Sequence, residues 1–100
     1  MPYQILYDEE AIRHLRRILR RHHSLIKRAI EEQLRHEPGK AMRNCKPLKS
    51  GKRLWKLRCG PDNQFRVIYR LDRENKAVFI IAIGVKKGNR LLVEGKEYKP

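Results

Sequence analysis

The sequence predicts a two-layer α+β fold: an N-terminal strand, an antiparallel helix hairpin, then a three- to four-stranded antiparallel sheet. Two observations carry it. Apolar residues recur at helical spacing in two successive stretches, and three β-prone runs separated by strong turn chemistry follow them. The chain has 100 residues, of which 40% are hydrophobic. That is enough for one helix–sheet core, and one domain over residues 1–100 is expected.

Residues 3–7, Tyr-Gln-Ile-Leu-Tyr, read as the first strand. Asp8 then stands where an N-cap belongs, and Glu9 and Glu10 suit the positive end of the helix dipole. Ala11, Ile12, Leu15, Ile18 and Leu19 form one stripe, with Arg13, Arg16, Arg17, Arg20 and Arg21 opposite, so the first helix is expected over residues 9–21. Ser24 is the expected cap of a second helix. Its stripe is Ile26, Ala29, Ile30 and Leu34, and Pro38-Gly39 stops it.

Residues 38–53 lack periodicity and read as a loop. Residues 53–59 alternate Trp55 and Leu57 against Leu54, Lys56 and Arg58, and Gly60-Pro61-Asp62-Asn63 turns the chain. Residues 64–71 form the next run. Residues 77–85 are nearly all apolar, as expected of a central strand covered on both faces, and residues 91–93 suit a short edge strand.

Charge narrows the function classes. Twenty-five Lys and Arg against eleven Asp and Glu leave a formal charge of +14, which favours a polyanionic partner. No apolar run approaches the roughly 18–20 residues of a membrane span, and the opening MPYQILYDEE does not read as a signal peptide. A cytoplasmic protein without membrane association is expected. Cys45 and Cys59 are too few for a disulfide scaffold and lack metal-ligand spacing. The vicinal His22-His23 has no third ligand nearby, and His14 and His36 share no short spacing with it, so neither metal nor cofactor is expected. From Pro38 to Pro61 there is no acidic residue, while eight cationic side chains lie between Lys40 and Arg58.

The order of these elements, with Leu57-Arg58-Cys59-Gly60, Phe65-Arg66-Val67-Ile68-Tyr69 and Ile81-Ala82-Ile83-Gly84-Val85-Lys86, resembles the RelE/ParE superfamily of toxins from bacterial toxin–antitoxin operons. The tail Gly88-Asn89-Arg90-Leu91 with Gly95-Lys96-Glu97-Tyr98 is similar to one RelE-like branch. The resemblance implies a compact toxin neutralised by a smaller cognate antitoxin wrapped around it. In the RelE branch such a toxin enters the ribosomal A site and cleaves mRNA without a metal; in the ParE branch the same fold poisons DNA gyrase.

Metal-free RNA cleavage requires a base for the 2′-hydroxyl, cations for the charge that builds on the phosphate oxygens, and an acid for the leaving 5′-oxygen. A lysine can serve as the base when neighbouring cations lower its pKa, and Lys52, Arg53 and Arg58 crowd Lys56 in sequence. By position, the resemblance implies that Lys56 is a functional lysine, that Arg66 holds the scissile phosphate, and that Lys86 stabilises the transition state where the family commonly has arginine. Two positions depart from the pattern. A further family lysine is replaced by Leu54, for which Lys52 or Arg53 could substitute only across a strand bulge. The C-terminal acid or stacking tyrosine has Tyr98 as its nearby candidate, displaced along the chain. Lys49, Lys52, Arg53, Arg58, Lys87 and Arg90 are the expected RNA contacts. Trp55 and Tyr69 read as packing residues. The competing functions are a gyrase inhibitor acting by binding alone and a non-catalytic nucleic-acid-binding module.

Overall fold

A computed structural model describes residues 2–49 and 53–99. The expected α+β architecture is present: two helices lie on one face of a sheet that, among the described residues, has seven strands. β1 (Gln4–Tyr7) leads into α1 (Glu9–Arg16), a 3₁₀ turn (Arg20–His22) and α2 (His23–Leu34). After them come β2 (Cys45–Pro47), β3 (Leu54–Cys59), β4 (Phe65–Asp72), β5 (Ala77–Lys87), β6 (Arg90–Val93) and β7 (Lys96–Glu97).

The strands from β2 to β7 pair in chain order, and all these pairings are antiparallel. β1 joins parallel to the first half of β5, Gln4 to Tyr7 opposite Ala77 to Ile80. β6 takes up the same edge of β5 from Val85 onward. β5 is therefore central, which explains its uninterrupted apolar run. In the gap between β1 and β6, the Ile83 N–H donates to Nδ1 of His14 at 3.3 Å. A buried histidine on α1 thus supplies the acceptor that no strand provides there.

Alternation sorts each strand between two apolar clusters. Leu57, Cys59, Phe65, Val67, Tyr69, Val78, Ile80 and Ile83 pack beneath the helices against Ala11, Leu15, Ile26, Ile30 and Leu34. The opposite face bears a smaller cluster of Leu54, Ile68, Ala82 and Val93. A bulge at Ile68/Tyr69 offsets the β4–β5 register by one residue, so that Ile81 and Ala82 both join the smaller cluster. Trp55 and Tyr69 stack at 6.2 Å, and the Tyr69 hydroxyl donates to the Pro38 carbonyl at 2.6 Å, so both aromatics are packing residues.

Three expectations need correction. The first helix stops at Arg16 rather than at residue 21. Arg17 and Ile18 close i−3 bonds to His14 and Leu15, and Leu19 is extended (φ −52°, ψ 133°) and 61% exposed instead of joining the stripe. The break spares the chain a full helical stack of arginines at i, i+3 and i+4. His23 Nε2 donates to the Ile18 carbonyl at 2.7 Å, satisfying an acceptor that the break releases. Secondly, Ser24 lies inside α2, whose cap position is His22; the His22 ring packs 5.0 Å from Phe65. Thirdly, the loop over residues 38–53 contributes β2, which pairs with β3 from Cys45↔Leu57 to Pro47↔Trp55. Three residues are too few to display a period.

Candidate phosphate-binding cleft

The face of the sheet away from the helices is apolar at one end and cationic at the other. β3 and β4 bring Arg58 opposite Arg66, and β4 and β5 bring Arg66 opposite Gly84. Lys56 lies two residues from Arg58 and Lys86 two residues from Gly84, so alternation returns both to the same face. Lys56, Arg58, Arg66, Lys86 and Arg90, with Gly88, Asn89 and Leu91, line one cleft of ≈ 240 Å³. Gly84 permits the close approach of β6: a Cβ there would lie 2.5 Å from the Leu92 carbonyl oxygen.

Arg66 is 6% exposed. Its Nη1 donates to the carbonyl of Asn63 and, at 3.3 Å, to that of Phe65. No carboxylate pairs with it among the described residues, so its charge is left for the cleft. Burial, then the neighbouring Arg58, lowers its pKa; a guanidinium remains protonated all the same. Lys56 is held below the ordinary ammonium range, first by burial and then by Arg58, Arg66, Lys46 and Lys86. Of the neighbours expected to crowd Lys56, Arg58 does so; Arg53 is not among the cations that lower it, Lys52 lies outside the described residues, and desolvation is the larger cause. Lys46 was not singled out: it reaches Lys56 as a cross-strand partner on β2, a strand with no sequence signal.

The structure brings Lys56, Arg58, Arg66, Lys86 and Arg90 together, and leaves other expected residues elsewhere. Tyr98 is half-buried against the smaller apolar cluster, with its backbone N–H on the Leu91 carbonyl at 2.8 Å, and does not line the cleft. Arg53 is exposed with φ +57° and borders a separate hollow with Trp55, Arg70 and Arg73. Lys87 points into a groove on the helix side beside His14 and Arg17. Lys49 is exposed outside the cleft, and Lys52 lies outside the described residues. No bulge rescues the position of Leu54, since β3 and β4 run in unbroken register from Leu54 to Cys59; Leu54 packs in the smaller cluster. Arg90 stands 3.9 Å from Glu97, an exposed pairing that leaves it within reach of a polyanion.

Burial pushes Cys59 up to about 11, and Cys45 is raised by the same cause although the Tyr69 hydroxyl lies 2.8 Å from its Sγ. Both cysteines are buried as free thiols. No described helix is long and apolar enough to cross a membrane.

A cleft of this kind gathers several positive charges around one opening at an electrostatic cost, and that cost is recovered when a phosphate enters. A family model described as the ParE toxin of type II toxin–antitoxin systems, parDE, matches residues 5–89. Among solved structures, the chain is similar to one in the toxin–antitoxin complex RelBE2 from Mycobacterium tuberculosis, at 25% identity and TM-score 0.72, covering 86% of this chain and 100% of that one. It is similar in fold to a double-arginine mutant of the E. coli toxin RelE in the free state, at 24% identity and TM-score 0.66, covering 84% of this chain and 83% of that one. A third likeness is to the archaeal RelE–RelB complex from Pyrococcus horikoshii, at 22% identity and TM-score 0.59, covering 89% and 99%. No curated protein matches in sequence.

Proposed function

This chain belongs to the ParE toxin family of type II toxin–antitoxin systems; from its cationic cleft and its likeness to a chain of the RelBE2 toxin–antitoxin complex, we propose that it cleaves mRNA on the ribosome by attack of a 2′-hydroxyl on the adjacent phosphorus. The observation that carries the reading is the convergence of Lys56, Arg58, Arg66 and Lys86 on one cleft, with Lys56 held below the usual ammonium range. In its neutral form Lys56 takes the 2′-hydroxyl proton. The 2′-oxygen bonds to phosphorus, Arg66 and Arg58 hold the non-bridging oxygens as charge accumulates, and the bond to the 5′-oxygen breaks. Lys86 supplies that oxygen's proton. The products are a 2′,3′-cyclic phosphate and a 5′-hydroxyl, with the two lysines restored by proton exchange with water. Tyr98 has no part in this scheme.

The formal charge of +14 and the exposed arginines around α1 suit docking on ribosomal RNA. The same charge suits a cognate antitoxin of acidic character, and structures similar to this chain include toxin–antitoxin complexes. Arg66→Ala is expected to lower cleavage by about 10²–10³-fold, the scale of losing one charge-stabilising donor, with the fold retained. Primer extension on transcripts after induction, alongside growth, reads this. A fully toxic Arg66→Ala variant overturns the reading.

A second reading is favoured by the ParE description of the matching family and by the position of Tyr98 outside the cleft. In it the chain inhibits DNA gyrase by binding alone. Growth arrest with DNA damage and intact transcripts selects this alternative.

A further inference from the structure

The turn between β3 and β4 has a feature that the reaction scheme leaves unused. Gly60, Asp62 and Asn63 all take left-handed backbone, with φ values of +85°, +55° and +53°. Asn and Asp are the side-chain-bearing residues that accept this region most readily, and β-branched residues accept it worst. The consequence is directional. With Asn63 left-handed, its carbonyl meets Nη1 of Arg66, and the carbonyl of the next residue, Gln64, accepts the backbone N–H of Lys86 at 2.8 Å.

Two successive carbonyls of one turn thereby hold the side chain of one cleft cation and the backbone of another. The partner of Arg66 is a neutral acceptor rather than a carboxylate, so the guanidinium is oriented without losing its charge to the protein. Among the described residues, Nε and Nη2 of Arg66 make no hydrogen bond. No side-chain nitrogen or oxygen of the described, non-exposed residues is both fully buried and unpaired, so these two nitrogens keep contact with solvent, on a residue that lines the cleft.

We propose that Asn63 is a positioning residue: its left-handed backbone aims the carbonyl that turns the free Nε/Nη2 edge of Arg66 toward the substrate phosphate. The inference rests on the cleft being a phosphate site, as read above, and it extends that reading to a residue outside the cleft lining. Fork geometry matters because a guanidinium edge grips two phosphate oxygens only when its plane is correctly set.

The test compares Asn63→Val with Asn63→Gly in the full chain, since glycine tolerates left-handed backbone and valine does not. Cleavage is followed on mRNA-programmed ribosomes, and the Arg66 Nε–Hε resonance by NMR. Asn63→Val is expected to lower kcat/KM by about tenfold to 10²-fold, since the fork it misplaces grips the phosphate in the bound substrate as well as in the transition state. The Arg66 resonance moves with it, while Asn63→Gly retains both. If valine prevents folding, judged by circular dichroism, Asn63→Ala carries the same expectation. Equal losses in the alanine or valine and glycine variants, or an unmoved Arg66 resonance in a folded variant, overturn the proposal.

A non-cleavable 2′-deoxy oligonucleotide separates this inference from the proposed reaction. If the unaltered chain cleaves no RNA, oligonucleotide affinity that falls with valine and returns with glycine still supports the positioning role. Affinity unchanged in both variants sinks it.

Discussion

Leu57 and its neighbours Lys56 and Arg58 occupy successive positions on one strand, yet they belong to opposite faces of the sheet. Leu57 is completely buried beneath the helices, among Ile26, Ile30 and Val67. Lys56 and Arg58 stand on the other face, in a cleft that concentrates like charge. The helix-covered face gains from every apolar contact, whereas the open face holds cations together at a cost that the core offsets. Stability and proposed chemistry are therefore separable by a single step along the chain.

The largest expected effects test that separation directly. Leu57→Ala should lower unfolding free energy by about 2–5 kcal/mol, measured by denaturant titration, and leave cleavage by the folded fraction unchanged. Lys56→Met should do the reverse: stability held or slightly raised by relief of repulsion, and cleavage reduced by about 10²–10⁴-fold, the range for a general base. If Lys56→Met destabilises as Leu57→Ala does, the two faces are not functionally distinct.

The next effect sharpens the electrostatic side. In the proposed reaction Lys56 is the base in its neutral form, so cleavage should rise with pH through its lowered pKa. Arg58 is the second cause of that lowering, after burial. Arg58→Gln should move the rising limb of the single-turnover pH–rate profile to higher pH and reduce the rate at neutral pH. A limb displaced downward would remove Lys56 from the base role.

A smaller effect belongs to the helix-covered side. Burial lowers the pKa of His14, with Arg13 acting in the same direction and Glu94 and Glu10 opposing it. Protonation also removes the Nδ1 acceptor used by Ile83 N–H. The unfolded chain therefore takes up a proton more readily than the folded one. The contribution of His14 is fully present above the unfolded value of about 6.5 and is lost as pH falls below it. Denaturant midpoints between pH 7.5 and 5.5, chosen as about one unit either side of that value, should decline, and His14→Gln should flatten the decline. The smallest effect is expected of Tyr98→Phe: cleavage within about twofold of the unaltered chain, because the residue packs against the smaller apolar cluster and does not line the cleft. A loss of about a hundredfold would restore Tyr98 as the proton donor.

Much of the fold was legible because its determinants are local. Period-two alternation placed Lys56 and Arg58 away from Trp55 and Leu57, and Gly60-Pro61-Asp62-Asn63 marked the turn that gives Arg58 and Arg66 their antiparallel pairing. The end of α1 was not legible: no glycine or proline stands between Arg16 and Arg20, and the break is supported by a hydrogen bond donated by His23, in the next helix. β2 was hidden for the same reason, because its three residues acquire strand geometry from β3 rather than from their own pattern.

By itself the sequence determined the order of the longer elements, the two faces of β3, the excess of positive charge and the residues from which a cleft could be built. Only the tertiary structure decided that β1 lies parallel on β5, that Lys46 comes beside Lys56, that Lys87 leaves for the opposite side while Lys86 stays, and that Tyr98 joins an apolar cluster. The division is physical. Alternation, turn chemistry and charge act over a few residues, whereas the membership of a site depends on strand register and on which distant edges close together, and those are settled by burying the whole core at once.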